Sequence, residues 1–252
     1  MPTSRPRAKS PARRAISTRD LVDDALLKAR WAPAGDAEAA RDGCPSLAEL
    51  LQWYDDQRSS QHLMVKRVDL NALSDWGLRP NGTYAHRTGR FFRVIGLSVQ
   101  SPEREVTGWH QPILENPRQG IIGLLSRTIG GRRYYLLQAK TDVGNRPPVQ
   151  LAATVQFTPG NYVDNAQLPR PFLFSEFLKP TLGRVVYNAL QSEEGARFFR
   201  ECHLHRVIEL DPGRTLAVPD HYRWFSLEAV RFFLHLGETV SSSARSILAC
   251  QL

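Results

Sequence analysis

Lys140 closes a strand-like run and stands two residues from Gln138, so a β-strand sets both side chains on one face. Gly144 and Asn145 follow in a short loop, where a glycine lets backbone approach a ligand closely. Gln150, Thr154 and Gln156 lie at even spacing and are predicted to share one face of the next strand. One cation among neutral amide and hydroxyl donors suits a ligand with several hydroxyls and an anionic end, such as a sugar joined to a diphosphate. An ordinary core strand has no need of so many amides. The stretch Trp109–Tyr162, which contains them all, is therefore the expected working surface.

Other chemistries find less support. There is no P-loop, no G-x-G-x-x-G and no G-x-S-x-G. His203 and His205 share a strand face, but no neighbouring carboxylate or cysteine pair completes a metal set, so structural roles are expected for them. The three cysteines, Cys44, Cys202 and Cys250, are odd in number and far apart, which argues against a disulfide framework. The net charge is +8, but six of those charges fall on Arg5, Arg7, Lys9, Arg13, Arg14 and Arg19, in a segment without acids. The rest of the chain carries only +2, so no specific nucleic-acid partner is expected. No apolar run approaches the roughly 20 residues that span a bilayer, and the N-terminus has no apolar signal core. A cytoplasmic protein with no membrane contact is expected.

The elements that must position these residues read as follows. Residues 1–16 are Pro- and Arg-containing and predict a disordered basic arm. Residues 17–64 predict a helical extension: one helix from Ser17, a loop over 32–45, and a second helix capped by Ser46 with Leu50, Leu51, Trp53 and Tyr54 on its apolar side. Residues 65–252 form the expected main domain. Short strands are predicted around Tyr84–His86 and Phe91–Leu97. Gly120–Ile129 and Arg132–Lys140 flank Gly130-Gly131 as a hairpin, and Val149–Phe157 forms one further strand. Helices are predicted at Phe174–Leu178, Leu182–Leu190, Ser192–Glu201, after Ser226, and over Ser241–Leu248, with a strand at Arg206–Leu210. The layout is α+β, a mixed or antiparallel sheet with packed helices.

Taken in order, several motifs resemble the NDP-hexose 2,3-dehydratase family. They include Trp109-His110-Gln111-Pro112-Ile113, Leu137-Gln138-Ala139-Lys140, Gly144-Asn145, Gln150 to Gln156 and Asn161-Tyr162. Thr88 to Phe92, Gln191 to Phe198, Tyr222-Arg223-Trp224 and Ala244 to Leu248 flank them, so the resemblance runs from about Val68 to Leu252. Family members usually carry two copies of this unit. The present chain holds one, closer to the second copy, and has Asp142-Val143 and Ala153 where the family usually has Glu-Pro and Pro.

The resemblance implies a Nudix-like fold, a dTDP-linked 4-keto-6-deoxyhexose as substrate, and no metal or other cofactor. It implies a place in deoxysugar and antibiotic biosynthesis, coupling to a 3-ketoreductase, and a homodimer in which a second subunit stands in for the missing copy. Under it, Lys140 stabilises an enolate or acts in acid–base catalysis, while Gln138, Thr154 and Gln156 donate to sugar oxygens. Glu209 or Glu193 is the base, Trp109 stacks on the thymine, and Arg245 faces the diphosphate. Gln111, Gly144, Asn145, Gln150 and Tyr162 complete the expected binding set. Three functions stay open: a dehydratase, a non-catalytic dTDP-sugar-binding module partnering a full-length enzyme, and non-specific nucleic-acid binding through the basic arm.

Overall fold

A computed structural model describes residues 44–163 and 167–251. The arm expected over 1–16, the helix expected from Ser17 and residues 32–43 of the expected loop lie outside them. Helix α1, Leu47–Ser60, opens the described chain. Ser46 and Glu49 cap it reciprocally: the Glu49 N–H donates to Ser46 Oγ at 3.3 Å and the Ser46 N–H to Glu49 Oε2 at 2.7 Å. Leu50, Trp53 and Tyr54 recur at helical spacing and are buried. The Trp53 indole donates to the Asp220 carbonyl at 2.8 Å and the Tyr54 hydroxyl to the Val149 carbonyl at 3.0 Å. This helix thus packs into the main core.

Two sheets follow. The first holds β1 (Trp76–Leu78), β2 (Tyr84–His86), β3 (Arg93–Gln100) and β4 (Gly108–Glu115), all antiparallel and in that order. The second is built on β5 (Gly120–Ile129), β6 (Arg132–Thr141), β9 (Gly183–Ser192), β10 (Cys202–Leu210) and β11 (Tyr222–Ser226), in the order β11-β6-β5-β10-β9. The β5–β10 pairing is parallel and the rest antiparallel, so the sheet is mixed. Short strands β7 (Val149–Ala152) and β8 (Val155–Phe157) pair with β6 and β5. Helices α2 (Pro159–Val163), α3 (Phe174–Leu178), α4 (Leu227–His235) and α5 (Ser242–Ala249) complete the α+β fold.

The second sheet is covered on both faces. Ile122, Leu124, Tyr135 and Leu137 pack with α1, α4 and α5, while Ile121, Leu125, Tyr134 and Leu136 pack with Phe174 and Phe177 of α3. Neighbouring residues alternate between the two clusters, so β5 reads as a continuous apolar run rather than an alternating one. Gly130 and Gly131 turn the β5–β6 hairpin with φ of 54° and 75°, the left-handed pair that a two-residue turn requires.

That hairpin is not zipped to its end. Its ladder stops at Leu125 opposite Leu136, and beyond it β8 pairs with β5 while β7 pairs with β6. The corner between β7 and β8 is Ala153-Thr154, wedged into the fork. Thr154 Oγ1 accepts from the Leu125 N–H at 2.8 Å and donates to the Leu136 carbonyl at 2.5 Å. Gln138 Nε2 donates to the Ala153 carbonyl at 2.8 Å and Tyr222 OH to the Thr154 carbonyl at 3.2 Å.

Three expected elements change. Val149–Phe157 is two strands rather than one, so Thr154 turns inward, fully buried, and leaves the face expected for Gln150 and Gln156. Of Leu182–Leu190, expected as a helix, all but Leu182 lies in β9, an edge strand whose Val185, Val186 and Tyr187 suit extended backbone. Ser192–Glu201, also expected as a helix, contains the β9–β10 connection: the Glu193 N–H donates to the Glu201 carbonyl at 2.9 Å, and the Phe199 N–H to the Leu114 carbonyl of β4 at 2.8 Å.

Thr154→Val keeps the shape of this residue but leaves a buried N–H and a buried carbonyl unpaired. It should cost about 2–4 kcal/mol in urea unfolding, against about 1 kcal/mol for Thr154→Ser, which keeps the hydroxyl. An unchanged unfolding midpoint in the valine variant would show that the wedge does not hold the fork.

Candidate active site

Where β5 begins, β6 ends and β10 begins, the forked sheet borders a cavity of about 920 Å³. His203, paired with Gly120 across the parallel ladder, lies on its floor with Ile121 and Ile122. Lys140 comes from the end of β6 and Gln156 and Phe157 from β8. Asn161 and Tyr162 come from α2, and Ser242, Ser243 and Arg245 from the first turn of α5. The β4–β5 connection supplies Asn116, and the 193–201 connection supplies Glu193, Glu194, Arg197 and Glu201. The first sheet reaches the rim with Arg90 and Phe91.

One wall is acidic. His203 Nε2 lies 3.5 Å from Glu193 Oε1 and 3.5 Å from Glu201 Oε1. Asn116 Nδ2 also donates to Glu201 Oε1, at 2.9 Å. The Gly120 N–H donates to His203 Nδ1 at 3.3 Å. A Cβ on residue 120 would stand 2.9 Å from Nδ1, so only glycine lets the ring lie this close to the strand. Glu201 Oε2 and Asn161 Oδ1 are buried and have no hydrogen-bond partner among the described residues. No three His, Cys, Asp or Glu side chains among the described residues are grouped as metal ligands. The opposing charge is cationic. Lys140 Nζ is held by Asp142 at 3.0 Å, Arg197 by Glu194 at 3.0 Å, and Arg245 Nη1 donates to the Val240 carbonyl at 2.7 Å.

Of the residues expected at the site, the cavity brings together Lys140, Gln156, Tyr162, Glu193 and Arg245. Gln138 and Thr154 instead hold the fork. Gln150 Nε2 donates to the Glu238 carbonyl at 2.8 Å, and Gly144 and Asn145 form an exposed turn in which the Asn145 N–H donates to the Asp142 carbonyl. Trp109 and Gln111 lie on β4; the indole donates to Gln111 Oε1 at 2.6 Å and Arg104 covers the ring. Glu209 lies away from the cavity, bound by Arg184 at 2.6 Å and Thr128 at 2.9 Å. The Arg184 hydrogen bond, followed by that of Thr128, lowers its pKa below the usual carboxylate value, which disfavours a base working near neutrality.

Sequence reading missed Asn116, Arg197, Glu201 and the site role of His203. Glu201 stands two residues before His203, while Glu193 is ten residues away and is brought back by the antiparallel pairing of β9 with β10. Gln191 opposite His203 and Ser192 opposite Cys202 place Glu193 and Glu201 at the two ends of a hairpin loop. Reading 183–210 as a hairpin would have shown the cluster.

His205, two residues along β10, is 1 % exposed, with Cys250 Sγ 4.0 Å from its Nδ1. Burial first, then the neighbouring His203, lowers its pKa from 6.5. Above that value neither folded nor unfolded chain protonates the ring, and the stability it contributes is whole. Below it the unfolded chain takes up a proton that the folded chain resists, so stability falls until the lowered folded value is passed. Between pH 7 and 5 the melting temperature should fall more steeply in the wild type than in His205→Gln; equal slopes would contradict this.

Residues 47–251 match the pattern of the NDP-hexose 2,3-dehydratase family. The dTDP-4-dehydro-6-deoxy-alpha-D-glucopyranose 2,3-dehydratase of Streptomyces violaceoruber is 33% identical over 204 residues, covering 81% of this chain and 45% of that protein. The protein of the same name from Saccharopolyspora spinosa is 31% identical over 204 residues, covering 81% of this chain and 42% of its own. The chain spans less than half the length of either relative. Among solved structures, a Nudix hydrolase from M. smegmatis covers 61% of this chain and 96% of its own, at 16% identity and a TM-score of 0.30; at that score the likeness carries no argument. The family pattern runs through α1, both sheets and every wall of the cavity, and on that match the chain belongs to the NDP-hexose 2,3-dehydratase family.

Proposed function

We propose that this chain removes water across carbons 2 and 3 of dTDP-4-keto-6-deoxy-glucose, as a carbon–oxygen lyase. The observation that carries this reading is a cavity that gathers Glu193, Glu201 and His203 with Lys140, Arg197 and Arg245. The names of the relatives support the same substrate. At about 920 Å³ the cavity falls in the range of small-molecule sites.

The chemistry needs three groups. The 4-ketone acidifies the proton on carbon 3, and a base takes it, leaving an enolate with its charge on the ketone oxygen. The electron pair then returns, the carbon 2–carbon 3 double bond forms, and the hydroxyl on carbon 2 departs with a proton as water. The enol product becomes a 3,4-diketo-2,6-dideoxy sugar. No electrons come from outside, so the reading calls for no redox cofactor. Lys140, fixed by Asp142, is the cation that faces the enolate oxygen, and acids of the 193–201 connection supply the base. Arg245 and the first turn of α5 suit the diphosphate, since a helix start presents free N–H groups to an anion. Gln156 and Tyr162 border the sugar and nucleotide path. The diketo product is reactive, which is why a 3-ketoreductase must consume it. That coupling, together with a cytoplasmic setting in deoxysugar and antibiotic biosynthesis, belongs to the same proposal.

A homodimer belongs to it as well. In the first sheet only Ala85 and Ile113 are buried, while Leu78, Phe91 and Phe92 are exposed, an apolar surface that a second copy would cover. Light scattering should give the mass of two chains; a monomer mass would remove this part.

Incubation of the purified protein with the 4-keto sugar nucleotide and a 3-ketoreductase should yield the 2-deoxy sugar nucleotide, followed by NMR. Lys140→Met should lower kcat by about 100–1000-fold, the range found when one oxyanion donor is lost. Tight dTDP binding without any turnover would instead make the chain a non-catalytic sugar-nucleotide-binding module, or a partner of a full-length enzyme.

A further inference from the structure

The geometry points to Glu201 as the base that removes the proton from carbon 3, with Asn116 and His203 as the residues that position it; this rests on the dehydratase reading above.

The two oxygens of Glu201 differ. Oε1 accepts from Asn116 Nδ2 at 2.9 Å and faces His203 Nε2 at 3.5 Å. The Gly120 N–H donates to His203 Nδ1 at 3.3 Å, which leaves Nε2 as the ring nitrogen able to donate. The ring therefore turns a donor toward the carboxylate. Oε2 is buried and has no partner among the described residues, on a side chain only 6 % exposed. Buried carboxylate oxygens without donors are rare because losing water is costly. Glu201 lines the cavity, and its Oε2, shut from water and left without a donor while its twin is held by a side chain, is the acceptor that a ligand entering there would meet.

The other acids of the cavity lack this arrangement. Glu194 is paired with Arg197 at 3.0 Å, and its side chain is 57 % exposed. Glu193 also lies 3.5 Å from His203, but it is 31 % exposed and has no orphaned oxygen. The residue before Glu201 adds a backbone reason. Arg200 has φ of 53°, a left-handed conformation unusual outside glycine, and it turns the chain into β10 just where the carboxylate must point inward.

The step balances within one carboxyl group. Oε2 takes the carbon 3 proton, and the electron pair of the broken C–H bond becomes the enolate on carbons 3 and 4. When the enolate collapses, the carbon 2–oxygen bond breaks with its pair going to oxygen. That oxygen takes the proton from Glu201 and leaves as water. Glu201 returns to the carboxylate, and no further acid is consumed.

The test separates proton removal from elimination. A dTDP-4-keto-2,6-dideoxy sugar has no hydroxyl to lose, so in deuterium oxide it reports only exchange at carbon 3, read by NMR. The wild type should exchange this position and dehydrate the natural substrate. Glu201→Gln, which keeps the Oε1 acceptor for Asn116 and His203, should lose both by about 1000-fold while dTDP affinity changes little. Glu201→Asp, a carboxylate set back by one carbon, should retain measurable exchange. His203→Leu should lower kcat with KM nearly unchanged, and His203→Gln, whose amide donates to the same oxygen, should recover part of the loss. Exchange that persists in Glu201→Gln, or vanishes only in Glu193→Gln, would overturn the assignment. A wild type that binds dTDP but neither exchanges nor dehydrates would overturn the dehydratase reading itself, and this assignment with it.

Discussion

A single hydroxyl group keeps the central hairpin open. Continued past Leu125 and Leu136 in the same register, the β5–β6 ladder would bring Ile121 opposite Lys140. Instead Ile121 pairs with Phe157 and Lys140 with Gln150, because the Thr154 corner enters the fork. Strands that part in a dry interior leave one N–H and one carbonyl without partners, and such groups are seldom left bare. A hydroxyl is the one small side-chain group that both accepts and donates, so Thr154 satisfies Leu125 and Leu136 together. The opening that results is the space into which Lys140, Gln156 and His203 project.

The same constraint explains which parts of the fold the sequence shows. The Gly130-Gly131 turn and the serine caps at Ser46 and Ser226 are local rules, in which a few adjacent residues decide the backbone, and each is found in place. The β7–β8 break is different. Nothing within Val149–Phe157 reports that its two halves pair with different strands. The edge strand β9 was equally opaque: with one ladder neighbour and several half-exposed residues, Gly183–Ser192 lacks the alternation that marks a strand covered on one face.

The site was legible to the same extent and for the same reason. Its amides stood out, yet amides on strands have two uses. Gln138 and Gln150 use theirs on backbone carbonyls at irregular strand ends, at Ala153 and Glu238. Gln156, by contrast, lies beside the cavity with only Ser243 Oγ donating to its carbonyl oxygen, at 3.2 Å. A polar residue on a strand announces that a hydrogen bond is needed, and only the three-dimensional ladder tells whether backbone or ligand supplies the partner. The acids carry even less local pattern, since Glu193 and Glu201 become neighbours only once β9 has folded back along β10.

The charges of the cavity follow from that origin. The acids come from a hairpin loop that is hydrogen-bonded to β4, while the cations come from the end of β6, the start of α5 and the loop itself. Lys140 stays beside Asp142 and Arg197 beside Glu194, while Glu201 accepts from Asn116 on one oxygen and has no partner among the described residues on the other. A carboxylate held this way loses part of its solvation when the protein folds and regains it only from what enters the cavity. The proposed elimination from a 4-keto sugar would bring such an oxygen an acidic C–H, followed by a hydroxyl that must leave with a proton. The cavity therefore gathers carboxylates and cations beside the fork that Thr154 holds open.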